Sequence, residues 1–342
     1  MKIAIGMRPH DGPWGGGNRF VASLGDALTQ AGHNAVYDLA PSDIDIILIV
    51  DPRFRSPHVS FGAGAALRYL MFRNPNAMVV HRINECDERK GEPFINHKLV
   101  RANYIADATV FVGEWLTRLP VWQKNLRSPW WVIHNGGDTK IFNDSGFVPW
   151  SGNGPIRFVT HHWGYHPMKG FDIYAALDEM MSDPQWRAKV DFTYIGQLPA
   201  GFKFRNARYV PPLNGKALAD ELRSHHAYLT GSQNEPGGNH QVEGALCGMP
   251  LLYRESGCMP EYCEGFGVPY AGLSDFPAAI DRLRADYSAL VGKMCSYPNT
   301  SERTTKEWID LFERLLAKRA EIVSRRRLGR SITSLLATQF IY

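Results

Sequence analysis

The apolar residues of this chain come in short runs, and the runs alternate with segments of helical period. "KIAIGM" ends at Arg8-Pro9 and reads as a first buried strand. "NRFVASLGDALTQAGH" then places Phe20, Leu24, Leu28 and Ala31 at helical spacing and stops at Gly32. "DIDIILIVD", "AMVVHRIN" and "DATVFVG" are nearly continuous apolar runs, the form taken by parallel strands covered on both faces. "PWWVIHNGGD" ends this series.

The pattern lapses in "FNDSGFVPWSGNGP", which is rich in Gly, Pro, Ser and Asn and reads as a linker. It then restarts. "IRFVTHH", "VDFTYIG", "ARYVPPL", "AYLTGS" and "PLLYRES" read as strands, and "GFDIYAALDEMMS", "KALADELRSH" and "QVEGALCG" as helices. Strands alternating with helices specify a parallel α/β sheet, and here the pattern runs twice. The expected division is 1–145 for an N-terminal domain, 155–310 for a C-terminal domain, and 311–342 for a final helix and tail packing back on the first domain.

Composition agrees with a globular protein of 342 residues, 44% hydrophobic and 21% charged, long enough for two cores. A net charge of +4 lacks the concentrated basic domain of a nucleic-acid binder. The five cysteines are odd in number, and Cys258 and Cys263 have no partner set completing a zinc spacing, so free thiols are expected. "MKIAIGMRP" is too short an apolar run for a signal peptide, and no stretch approaches the roughly 20 apolar residues of a membrane span. The expected location is cytoplasmic, at most peripheral at the inner membrane surface. Such contact would run through Arg325, Arg326, Arg327 and Arg330 beside the apolar tail, whose simpler reading is a solvated helix end.

Ligands of parallel sheets lie beyond the carboxyl ends of the strands, so the chemistry is sought in the loops that follow them. "GPWGGGNRF" follows the first strand, and its amides suit an anion, although neither the dinucleotide fingerprint nor a P-loop is spelled there. Lys169-Gly170 follows "HHWGYHPM" at the start of a helix, a place that suits a phosphate. Asp43 and Asp45 form a D-x-D pattern at the amino end of their strand, the wrong end for a metal site. Glu235 and Glu243 stand eight positions apart around a Gly-Gly turn in "EPGGNHQVE".

Taken in order, these segments resemble the retaining GT-B glycosyltransferases of family 4, which carry an E-x7-E motif. "IHNGGDTKIF" is similar to the segment closing that family's first domain, and "GALCGMPLLYRESGCMPEYCEGFG" looks like the continuation of its motif. The resemblance reaches to about residue 310. It implies two Rossmann-like domains whose parallel sheets face a central cleft, and transfer of a sugar, with retention, from a nucleotide-diphosphate sugar. The implied acceptor is a glycan, a lipid-linked sugar or a small molecule, and no cofactor or metal is implied.

Carried over by position, Glu235 would bond hydroxyls of the donor sugar, Glu243 the ribose, and Lys169 the diphosphate. Amides near Gly16, Gly17, Gly237 and Gly238 would contact phosphate or sugar oxygens, and His81 the transferred sugar. The family's phosphate-binding arginine is missing. His162, or else His161, His166 or Arg19, is the expected substitute. Arg82, Asn84, Asp87 and Arg19 are the acceptor candidates. Gly237 stands where the family usually has an aromatic. The rival readings are an inert nucleotide-sugar-binding scaffold, which the missing arginine favours, and another GT-B enzyme such as a nucleotide-sugar epimerase.

Overall fold

The computed structural model describes residues 1–10, 16–51 and 58–326. The chain divides into two compact units, 1–134 with 302–342 and 135–301. The division falls ahead of the Gly/Pro-rich stretch, at His134/Asn135, and the chain re-enters the first unit at Glu302.

The first unit contains β1 (Lys2–Ile5), β2 (Asn34–Val36), β3 (Ile46–Ile49), β4 (Met78–Ile83), β5 (Ala108–Phe111) and β6 (Trp130–Val132). They pair in the order β2-β1-β3-β4-β5-β6, every pair parallel. The apolar runs are strands because each is covered on both faces: all four residues of β3, all six of β4 and all four of β5 are buried. On one face the helix Gly16–Gln30 packs Phe20, Val21, Leu24 and Leu28 against Ile3, Ile5 and Leu48. The helix Ser301–Ala317 adds Trp308, Leu311, Phe312 and Leu315 to the same core, with the Trp308 ring 5.4 Å from that of Phe20. The opposite face is covered by Ala66, Leu67 and Leu70 of the helix Ala63–Phe72.

The second unit contains β7 (Ile156–His162), β8 (Val190–Gly196), β9 (Arg208–Val210), β10 (Ala227–Thr230), β11 (Leu251–Arg254) and β12 (Gly267–Tyr270). Their order is β12-β11-β10-β7-β8-β9, again all parallel. An aromatic core of Phe158, Phe192 and Tyr194 lies under the helix Phe171–Met180, which adds Tyr174.

Two edge strands, β2 and β12, have no counterpart in the sequence reading. β2 is three residues long, and β12 carries Pro269, which a sheet tolerates at its edge.

The C-terminal basic cluster is corrected in part. Arg326 is 8% exposed in its side chain and pairs with the buried Asp107 at 2.6 Å. Its remaining donors reach the carbonyls of Pro75 (2.7 Å) and Ala77 (2.8 Å), so it ties the helix Arg319–Arg325 to the first unit instead of facing a lipid surface. Arg325 is exposed and pairs with Glu321 at 2.7 Å. Arg327 and Arg330 lie outside the described residues. No helix of the described residues is long and apolar enough to cross a membrane.

Candidate functional site

Strand order fixes where a ligand can enter each sheet. In the second unit the chain winds outward from β7 through β8 to β9, and outward the other way from β10 through β11 to β12. Connections therefore leave the adjacent ends of β7 and β10 in opposite directions. Such a switch point opens a crevice beyond the carboxyl ends of the strands. The loop after β7 carries Lys169, and the loop after β10 carries Glu235.

The two loops meet because both are glycine at the point of approach. Gly170 has φ +100°, and a Cβ there would stand 2.4 Å from the Cα and carbonyl carbon of Gly231. With no side chain in the way, Lys169 Nζ comes within 3.0 Å of Glu235 Oε2. The side chains are only 19% and 10% exposed. The Glu235 backbone is fixed from β11 as well. The Cys258 amide donates to the Glu235 carbonyl at 2.9 Å, and Gly257, at φ +59°, leaves room for that approach.

Between the two glutamates, the Gly237 carbonyl accepts from Asn135 Nδ2 at 2.6 Å, while the Asn135 amide donates to Tyr262 Oη at 2.8 Å. A Cβ on Gly238 would stand 2.6 Å from Gln241 Oε1 and 3.0 Å from Glu235 Cγ. Gly238 thus sits in close packing within this turn.

Glu243 lies in the helix His240–Leu246 and is 3% exposed. Its Oε2 is 2.8 Å from His161 Nε2. The other ring nitrogen, Nδ1, is 3.0 Å from the Tyr228 hydroxyl. Burial pushes the Tyr228 phenol well above its usual range, so it keeps its proton. It also accepts from the His161 amide at 3.0 Å. His161 thus bridges Glu243 and Tyr228 through its two ring nitrogens.

Strand alternation separates the two adjacent histidines. Neighbouring residues of β7 point to opposite faces. His161 turns to Glu243, whereas His162 turns into the core, 3% exposed, with Nε2 2.7 Å from Tyr174 Oη. His166 accepts from the Met168 amide at 3.3 Å and caps the short turn Pro167–Lys169.

His81 is likewise internal. It sits fourth of six in β4, fully buried, with Nδ1 3.3 Å from Asn103 Nδ2, and burial lowers its pKa to about 3.

The acceptor candidates are also redistributed. Arg82 is 1% exposed, its guanidinium 4.1 Å over the Phe20 ring. Asp87 accepts from the amides of Ile95 (2.5 Å) and Asn96 (3.1 Å) and so builds the start of the helix Ile95–Asn103. Asn84 and Arg19 are half-buried. Gly16 and Gly17 are the first residues of the helix Gly16–Gln30; the rest of the glycine loop, 11–15, lies outside the described residues.

Asp43 and Asp45 hold structure. Asp43 pairs with Lys2 at 2.5 Å, and Asp45 accepts from the Lys2 amide at 2.8 Å and pairs with Arg319. Among the described residues, no group of three or more His, Cys, Asp or Glu side chains is placed to hold a metal ion. All five cysteines are unpaired thiols.

The sequence reading passed over Asn135, Tyr228, Trp163 and Tyr165. The last two are 46% and 56% exposed in the loop that leads to Lys169. Their only sequence signal was the aromatic pair in "WGYH", where the resembled family has an arginine nearby.

Solved structures share this architecture. Sucrose-phosphate synthase from Thermosynechococcus elongatus is 16% identical, with a TM-score of 0.61 over 92% of this chain and 99% of that one. A glycosyltransferase from Rickettsia africae is 11% identical, with a TM-score of 0.64 over 92% and 98%. HepE of Anabaena, solved with UDP, is 14% identical, with a TM-score of 0.60 over 99% and 100%; it is also known with UDP-glucose. No protein-family model and no curated protein matches the sequence. The likeness at these identities is one of fold. The chain has the GT-B type of α/β architecture, with two Rossmann-like units built on six-stranded parallel sheets.

Proposed function

We propose that this protein is a retaining glycosyltransferase that moves a sugar from a nucleotide-diphosphate sugar to an acceptor hydroxyl in glycan synthesis, without a metal ion. One observation carries the reading. Lys169 and Glu235, 66 residues apart, stand 3.0 Å from each other at the switch point of the second sheet. A cation there faces the position of a diphosphate, and a carboxylate beside it accepts sugar hydroxyls. The E-x7-E resemblance supports the same roles, and a neighbour of this fold is known with UDP-glucose.

In this reading the acceptor oxygen bonds to the anomeric carbon as the bond to the diphosphate oxygen breaks. The acceptor proton leaves on the diphosphate. Lys169 and the loop amides stabilise the charge that develops on the leaving group, an electrostatic role that elsewhere falls to a metal. Glu235 orients the sugar, and Glu243, set by His161, holds the ribose diol.

The test is a thermal-shift panel of UDP, GDP, ADP, CDP and dTDP with their sugars, followed by proton NMR of the product's anomeric centre. A ligand at a hundred times its Kd stabilises by about 2.7 kcal/mol, a readable shift. The expected result is stabilisation by one nucleotide class, activity that persists in EDTA, and product with the donor's anomeric configuration. No shift with any nucleotide would remove the proposal, and an inverted product would remove its retaining part.

A further inference from the structure

We infer that Phe94 is a platform for a sugar ring of the acceptor, an assignment that rests on the glycosyltransferase reading above. The loop 84–94 leaves the carboxyl end of β4, the edge at which parallel sheets take ligands. Phe94 ends this loop with φ +96° and ψ −10° and is 65% exposed. A left-handed backbone disfavours phenylalanine and suits glycine or asparagine. Burial of the ring would ordinarily offset that cost, yet this ring stands in solvent. Neither backbone preference nor the hydrophobic effect accounts for a phenylalanine here. Strain of this kind gathers at ligand-binding sites.

The surroundings hold the strained residue in place. The Asp87 carboxylate takes the amides of Ile95 and Asn96, Asn96 Oδ1 takes the Asp87 amide at 3.2 Å, and the Phe94 carbonyl accepts from the Lys98 amide at 3.1 Å. The rest of the loop is polar. Lys90 lies 3.8 Å from Glu85 and 3.9 Å from Glu92. The apolar side chains of Cys86 and Ile95 are buried. A lipid chain would call for a contiguous apolar patch. One exposed aromatic face on a polar loop instead matches a pyranose, which offers a C–H face to the ring and hydroxyls to polar groups.

The test compares wild type, Phe94→Asn and Phe94→Tyr on an oligosaccharide array, with nucleotide affinity and Tm measured alongside. Phe94→Asn should bind its best glycan at least tenfold more weakly, bind nucleotide unchanged, and melt a few degrees higher as the strain is relieved. Phe94→Tyr should keep glycan binding and Tm. Undiminished glycan binding by Phe94→Asn, or no glycan bound by wild type, overturns the assignment. So does a fall in Tm for Phe94→Asn, which would make the ring structural. If wild type binds no nucleotide, the glycosyltransferase reading fails instead, and the two failures are told apart.

Discussion

Replacing Lys169 by methionine separates the structural from the functional share of the Lys169–Glu235 pair. The change keeps most of the stem and removes the charge. Breaking a wholly buried ion pair costs about 3–5 kcal/mol, because the remaining charge is stranded. Here the side chains are 19% and 10% exposed, so water relieves part of that penalty and the expected cost is about 2 kcal/mol. Adding Glu235→Gln removes the stranded carboxylate. The double variant should therefore recover about 1 kcal/mol relative to additivity.

Ligand binding should not recover, since the cation is absent from both variants. A loss of tenfold or more in nucleotide-diphosphate affinity is expected for each, equivalent to about 1.4 kcal/mol or more. Urea unfolding read by circular dichroism gives the stabilities. The two units can unfold separately, so each transition is fitted by itself. Titration calorimetry with the nucleotide chosen by the thermal-shift panel gives the affinities. Strictly additive stabilities would refute the ion pair, and parental affinity in Lys169→Met would refute the diphosphate site.

Two further outcomes follow from the same geometry. Gly170→Ala sets a methyl group 2.4 Å from the Gly231 backbone at φ +100°, so it should cost 2 kcal/mol or more and weaken nucleotide binding through displaced loops; a parental urea midpoint would show that the loops do not meet. Stability should also fall in mild acid. Burial holds His81 at about 3, below an unfolded value near 6.5, so above pH 6.5 it contributes nothing pH-dependent. As pH drops further, only the unfolded chain takes the proton. The stability of the first unit then declines by about 1.4 kcal/mol per pH unit toward pH 3, and His225, also held at about 3, has the same effect on the second. A urea midpoint that stays level from pH 7 to pH 5 would contradict this.

The runs that became β3, β4, β5 and β8 were readable in the sequence because a strand covered on both faces needs apolar residues throughout. Lys169, Glu235 and Glu243 were readable too, since each follows a strand and their spacing is a local property. The edge strands β2 and β12 were not, because β2 is three residues with none buried and Pro269 interrupts the pattern of β12. Local pattern also could not choose between His161 and His162. Alternation sends them to opposite faces, and only the packing of the helix His240–Leu246 against β7 decides which one meets Glu243. Nor could local pattern show that His81 and Arg82 are buried and that Asp87 stands at a helix start, which tertiary packing decides. By itself, then, the sequence determined a twice-repeated parallel α/β chain and the carboxylates and lysine that follow its strands. The tertiary structure decided which of those side chains meet, because that depends on strand order, on the face each side chain takes, and on two glycines, Gly170 and Gly231, that let segments 61 residues apart touch.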